Sequence, residues 1–280
     1  MPLGLLRILG ACLGLLLYLF ARRTREVIEF NLRQAALELT TAQAARHAGR
    51  GMLEMLWVWF TPQAQVASRC TPHPDDAALL AQALSGVSPT ILLTPHLGCF
   101  EALAQYIATQ TPLTAMYRRP DKAWVAQLVE SRRAGAGLTM VPADETGVRA
   151  LLKTLKNKRT IGILPDQAPR KGEGAWLTWF GRDAYTITLP AKLQARTDAA
   201  VYALAALPVA GGWQLICERV QVQAQAAGED MTLHNTVAIN RALEALIRRA
   251  PKHYAWTYNR YKGAQNNSEA AALTKPDHAA

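Results

Sequence analysis

The chain has 280 residues, half of them hydrophobic, with 31 Lys and Arg against 21 Asp and Glu, a formal net charge of +10. That is enough chain for one sizeable core or two small ones, and the basic balance favours an anionic partner: nucleic acid, an acidic protein or an anionic membrane surface. Cys12, Cys70, Cys99 and Cys217 form no C-x-x-C pair and no histidine pair has metal-ligand spacing, which argues against a disulfide framework or a zinc site; zinc-finger and RNP-type motifs are absent as well.

In chain order, Leu3 to Phe20 is apolar except for Arg7 and is followed by the basic cluster Arg22, Arg23 and Arg25. The run approaches the roughly 20 residues that cross a bilayer core, and the positive-inside rule puts the Arg22 side in the cytoplasm. Arg7 is expected to snorkel to an interface. A cleavable signal fits poorly, because the stronger basic cluster comes after the apolar stretch. A shallow interfacial helix and a buried core helix are the alternatives to a spanning one.

Arg25 to Phe60 reads as helical, with Gly49-Arg50-Gly51 as the expected break between two helices. Thr71-Pro72-His73-Pro74 interrupts the chain, and Asp75 or Asp76 is placed to cap a helix running to Leu84. Six short apolar runs then predict strands: Thr90–Thr94, Leu113–Tyr117, Leu138–Val141, Thr160–Leu164, Ala200–Ala205 and Gln214–Val220. Helices are expected over Cys99–Ala108, Lys122–Ala134, Thr146–Lys156, Pro190–Arg196 and Thr232–Ile247. The alternation predicts an α/β fold, a central mostly parallel sheet flanked by helices, behind an N-terminal membrane-anchoring helix. The expected organisation is an anchor over 1–21, one domain over 22–263 and a polar, Ala-rich, disordered tail over 264–280.

Ligands of such sheets sit beyond the carboxyl ends of the strands. His96, Arg118 and Asp166 each follow a predicted strand and are therefore expected on one sheet edge. His96 and Glu101 are separated by five positions, which on a regular helix is about 500° of turn, so they can cooperate only if His96 lies in the turn and Glu101 on the following helix. Pro95 and Gly98 suit such a turn. A histidine there is suited to general base work near neutral pH, and the glutamate is expected to orient its ring. A histidine bonded only to backbone is the competing reading of the pair, and a capping role that of Asp166.

The spacing His96-x-x-x-x-Glu101 matches the H-x-x-x-x-D/E signature of the glycerolipid acyltransferases. The blocks Met116-Tyr117-Arg118, Arg133, Gly162-Ile163-Leu164-Pro165-Asp166-Gln167, Gly172-Glu173-Gly174, Phe180-Gly181 and Tyr254 to Lys262 follow in order. With the apolar N-terminus and Asn31-Leu32, they make nearly the whole chain resemble the bacterial lipid A late acyltransferases, the lauroyl/myristoyl transferase family. The chain departs from the family pattern at Ala168, where an acidic or polar residue is usual, and at Trp179-Phe180, where the pattern has paired phenylalanines.

The resemblance implies a membrane-bound O-acyltransferase that moves a fatty acyl chain from acyl carrier protein to a hydroxyl of a lipid A precursor, without cofactor or metal. It implies His96 as general base and Glu101 as its orienting acid. Arg118, Arg133, Asp166 and Gln167 become substrate-binding candidates, with Arg118 assigned either to the oxyanion or to a lipid phosphate. It also implies a place at the cytoplasmic face of the bacterial inner membrane. The basic surface then serves an acidic carrier protein, a phosphorylated glycolipid and an anionic membrane rather than nucleic acid. Other lipid acceptors (a lysophospholipid, aminolipid or glycolipid) and acyl-CoA as donor keep the same chemistry. A lipid-binding scaffold would need no His–Glu pair.

Overall fold

A computed structural model describes residues 1–120, 122–133, 135–223 and 230–263; the tail expected to be disordered, 264–280, lies outside the described residues. Three helices open the chain: α1 (Leu3–Phe20), α2 (Arg22–Ala35) and α3 (Thr41–Trp59). The break expected at Gly49-Arg50-Gly51 falls earlier. α2 ends where Ala36 takes up left-handed backbone (φ 49°), and α3 starts on a capping box in which the Thr40 side chain accepts from the Gln43 backbone N–H and Gln43 reaches back. Gly49 lies inside α3 because α1 packs against it there: a Cβ on Gly49 would stand 2.2 Å from the Gly10 carbonyl oxygen, and one on Gly14 2.2 Å from that of Ala45. Only glycine lets the two backbones approach this closely.

Arg7 of α1 points into the protein instead of snorkelling. Its Nε donates to Glu54 Oε1 at 2.5 Å, and its two terminal nitrogens donate to the carbonyls of Val209 and Gly212. The opposite face of α1 is apolar and exposed, with Ile8, Leu16, Leu19 and Phe20 uncovered. α1 is the one helix among the described residues that is long and apolar enough to cross a membrane, with a mean hydropathy of 2.2.

The short α4 (Gln63–Ala67), strand β1 (Cys70–Pro72) and α5 (Ala77–Ala83) lead into the repeating part of the fold. Asp76 does not cap α5 through its side chain; it accepts from the Cys217 backbone and Arg249. The repeat runs β2 (Thr90–Leu93), α6 (Phe100–Gln110), β3 (Leu113–Tyr117), α7 (Ala123–Arg133), β4 (Leu138–Pro142), α8 (Glu145–Lys156) and β5 (Thr160–Ile163). A hairpin of β6 (Gly174–Trp179) and β7 (Arg182–Ile187) follows, then α9 (Leu189–Thr197), β8 (Ala200–Val209), β9 (Gly212–Arg219) and α10 (Thr232–Arg249).

The main sheet has seven strands in the order β1-β9-β8-β2-β5-β3-β4. β8, β2, β5, β3 and β4 are mutually parallel; β9 returns antiparallel to β8, and β1 pairs parallel with β9. β2 is buried along its whole length, as a central parallel strand covered on both faces requires. Its alternation divides the core. Ile91 and Leu93 pack with Ile161, Ile163 and the apolar face of α10, whereas Leu92 faces α6 with Leu103 and Ile107. The fold is thus α/β with a mostly parallel central sheet.

Candidate active site

β2 and β5 are adjacent and paired in register, Leu93 opposite Ile163. His96 and Asp166 each lie three positions beyond that last pair, so the parallel strands deliver both to one point on the sheet edge. Asp166 is buried and holds His96 with both oxygens: Oδ2 accepts from the His96 backbone N–H and Oδ1 meets the ring Nδ1, each at 2.8 Å. Burial disfavours charge on the imidazole, but the Asp166 carboxylate and its hydrogen bond outweigh that and raise the His96 pKa above its ordinary value. Burial would likewise raise the Asp166 pKa, and the facing imidazole with its hydrogen bonds brings it below the usual carboxylate value. With Nδ1 committed to Asp166, Nε2 is the nitrogen left for chemistry; the Gln167 side-chain nitrogen lies 3.3 Å from it.

Glu101 does not orient the ring. It sits in the first turn of α6, nearly fully buried, and its carboxylate is paired with Arg133 of α7, whose Nε lies 2.9 Å from Oε1. The turn puts His96 ahead of the helix as expected; its ring meets Phe100 of α6 edge-on, centroids 5.4 Å apart, but its Nδ1 bonds Asp166 and not Glu101. The carboxylate that bonds the ring is that of Asp166, seventy positions away in sequence. The pair Glu101–Arg133 instead stands in the wall of the cavity beside His96.

Besides Asp166, backbone hydrogen bonds fix the loop carrying His96. Gly98 has φ +65°, and a Cβ there would stand 2.1 Å from the Ala206 carbonyl oxygen. Cys99 N–H donates to that oxygen, Gly98 N–H to His253 O, and Ala255 N–H to His96 O. The C-terminal segment is itself held by Asn31 of α2, whose Nδ2 donates to the carbonyls of Trp256 and Tyr258. Arg260 is buried and donates to Tyr185 O and Thr186 Oγ1, stitching the β6–β7 hairpin to the same segment.

Two cavities meet at His96. One, of about 350 Å³, runs between the sheet and α6; its inner wall is apolar, with Leu92, Ala104, Ile107, Ala115, Met140 and Gly162, and its mouth carries Arg118, Arg170 and Gln167. The other, of about 220 Å³, opens toward α3 and the C-terminal segment and includes His47, Arg50 and His253. His96, Phe100 and Glu101 line both. Of the six predicted site residues, His96, Glu101, Arg118, Arg133 and Gln167 line the first cavity, and Asp166 lies behind His96. His47, Arg50 and His253 escaped sequence reasoning. The first two carry no local signature on α3, and His253 immediately precedes the Tyr254 block. Among the described residues, no group of three or more His, Cys, Asp or Glu is placed to hold a metal ion.

A histidine bonded to a buried carboxylate where two cavities meet suits transfer of an acyl chain between two substrates. The family model for the bacterial lipid A biosynthesis acyltransferases matches residues 1–263. Among curated proteins, the chain is similar to the lipid A biosynthesis lauroyltransferase of Escherichia coli (strain K12), 22% identical over 277 residues that cover 94% of this chain and 87% of the relative. The match spans every described element of the fold, and the chain belongs to the bacterial lipid A biosynthesis acyltransferases.

Proposed function

We propose that this acyltransferase is membrane-bound and moves a fatty acyl chain from acyl carrier protein to a hydroxyl of a lipid A precursor, with His96 as general base. The observation that carries the reading is the position of His96 where the two cavities meet, its Nδ1 held by Asp166. The acyl chain lies along the apolar wall of the larger cavity, and the acceptor enters through the smaller one.

His96 Nε2 takes the proton from the acceptor hydroxyl as its oxygen attacks the thioester carbonyl, and the Asp166 carboxylate stabilises the imidazolium that forms. Collapse of the tetrahedral intermediate breaks the carbon–sulfur bond. The imidazolium returns its proton to the departing thiolate, leaving an ester and a free thiol. Arg133, kept in the cavity wall by Glu101, is placed to meet the negative charge on the tetrahedral oxygen, an interaction worth roughly 3–4 kcal/mol per good donor. Arg118 is exposed at the mouth of the same cavity, which suits it to phosphate on a substrate better than to a buried oxyanion.

Membrane attachment is supported by the exposed apolar face of α1 and the basic cluster after it, which favours the cytoplasmic face of the inner membrane. The ties from Arg7 to α3 and to the β8–β9 turn favour insertion into one leaflet over a free-standing span.

The test is mass spectrometry of lipid products from membranes holding wild type or His96→Ala, supplied with acyl carrier protein loaded with mixed chains and a tetra-acylated lipid A precursor. One added chain with wild type alone is expected. No added chain from active, folded protein would move the acceptor to another lipid, and equal product from the variant would remove His96 as the base.

A further inference from the structure

The smaller cavity contains polar groups that the protein itself leaves without partners. His47 Nδ1 and Arg50 Nε, both on α3, are buried and make no hydrogen bond. An unmet buried donor costs on the order of 1–3 kcal/mol, more for a charged group, and is explained when a ligand supplies the acceptor. Across the cavity, the His253 ring meets that of His47 edge-on, with centroids 4.6 Å apart.

The carboxylates at this cavity are already neutralised: Glu54 by Arg7 and Glu101 by Arg133. Arg50, with Lys252 and Arg46 nearby, leaves a positive field around the two histidines. Burial first, and then these cations, hold His47 down to about 4; burial, then His47 itself and the cations, hold His253 to about 3. A dianion is the ligand that would accept from the Arg50 guanidinium and favour the protonated form of both imidazoles, in which each ring nitrogen donates.

We infer that His47, Arg50 and His253 form a binding site for a phosphate ester, placed beside the base so that a phosphorylated substrate is held with its reacting end at His96. This rests on the proposed transfer reaction for its purpose but not for its existence. Two substrates could bring such a group: the glycolipid acceptor, or the phosphopantetheine arm of the carrier protein. The acceptor is favoured by Met52, which lines the same cavity, is about half exposed, and stands one helical turn from the exposed Leu56. The cavity therefore borders apolar surface, the arrangement a lipid headgroup needs.

The site is read first without turnover, by titrating full-length protein in detergent with inorganic phosphate and following the histidine ring resonances. Wild type is expected to show saturable shifts at His47 and His253 that are lost in Arg50→Gln. Wild-type histidines that do not respond, or an Arg50→Gln variant that responds as wild type does, would overturn the site.

Steady-state transfer then identifies the source. A KM raised about tenfold or more in Arg50→Gln for the phosphorylated acceptor, converging on that of its dephosphorylated form, assigns the phosphate to the lipid; the same rise for the acyl carrier protein assigns it to the donor. Gly51→Leu provides a steric check that should fold, because a Cβ there meets nothing within 4 Å while the position lines the cavity. It is expected to weaken the same substrate as Arg50→Gln; an effect on neither substrate counts against the site. If wild type responds to phosphate but transfers no chain to the glycolipid, the proposed reaction falls and the phosphate site stands.

Discussion

The Arg7–Glu54 pair provides the sharpest test of how α1 joins the enzyme. Replacing Arg7 by Met keeps an apolar stem of similar reach and removes the guanidinium. Glu54 then keeps only the Trp213 Nε1 donor, at 3.2 Å, for a carboxylate whose side chain has 0% exposure. The carbonyls of Val209 and Gly212 lose a donor as well. Leaving a buried charge without its partner costs about 3–5 kcal/mol. Against a usual stability of about 5–15 kcal/mol that is a large fraction, and at about 2–4 °C per kcal/mol for a domain of this order it lowers the thermal midpoint by roughly 6–20 °C. The assay is thermal unfolding in detergent for wild type, Arg7→Met, Glu54→Gln and the double variant. Because the two residues touch, the double variant should recover part of the loss, with a coupling of about 0.5–3 kcal/mol. A shift below about 2 °C for Arg7→Met, or strict additivity, would show that α1 is not docked through this pair and would return the helix to an independent span.

Asp166→Asn should lower kcat by roughly 10²–10⁴-fold with little change in KM. The base form of His96 exists above its pKa, so activity rises with pH; without Asp166 only burial acts on the imidazole, and in the pH–kcat profile the rising limb should move to lower pH. Glu101→Gln should leave that limb in place, since its carboxylate bonds Arg133 and not the ring; a limb that moves with Glu101 and stays with Asp166 would restore the sequence-based assignment. Gly162→Val should shorten the transferred chain, because Gly162 lines the cavity between Leu92 and Ala115 and a Cβ there already stands 3.4 Å from Leu113 Cδ1. Each methylene excluded costs about 0.8 kcal/mol, or about fourfold in preference, and an unchanged product mass distribution from a mixed donor pool would refute it.

The parallel strands were legible because each is a short apolar run ended by turn residues, and all six predicted runs occupy strands of the main sheet. The β6–β7 hairpin was not, since Thr178 interrupts the apolar residues of Gly174–Trp179, and Arg182–Ile187 opens on two charged residues. Gly49 was misplaced because a helix-packing glycine and a helix-breaking one look alike in sequence; what distinguishes them is α1 lying against the backbone. The site was visible in its members but not in its bonds. His96 and Asp166 were both marked by their position after strands, yet only the β2–β5 pairing shows that their offsets match. Glu101 is favoured as His96's partner by its nearness in sequence, whereas in the structure its carboxylate is taken by Arg133 and the ring nitrogen by Asp166.

The clamp on the His96 loop bears on when the enzyme can work. Besides Asp166 and Ala206, this loop is fixed by His253 and Ala255, and Asn31 of α2 holds the carbonyls that follow. Synthesis runs from the other end, so a nascent chain contains the histidine, its aspartate and the lining of the larger cavity before the segment that clamps the loop and completes the smaller cavity. A chain cut short before His253 would thus hold the larger cavity and the His96–Asp166 pair with the loop unclamped and the smaller cavity open.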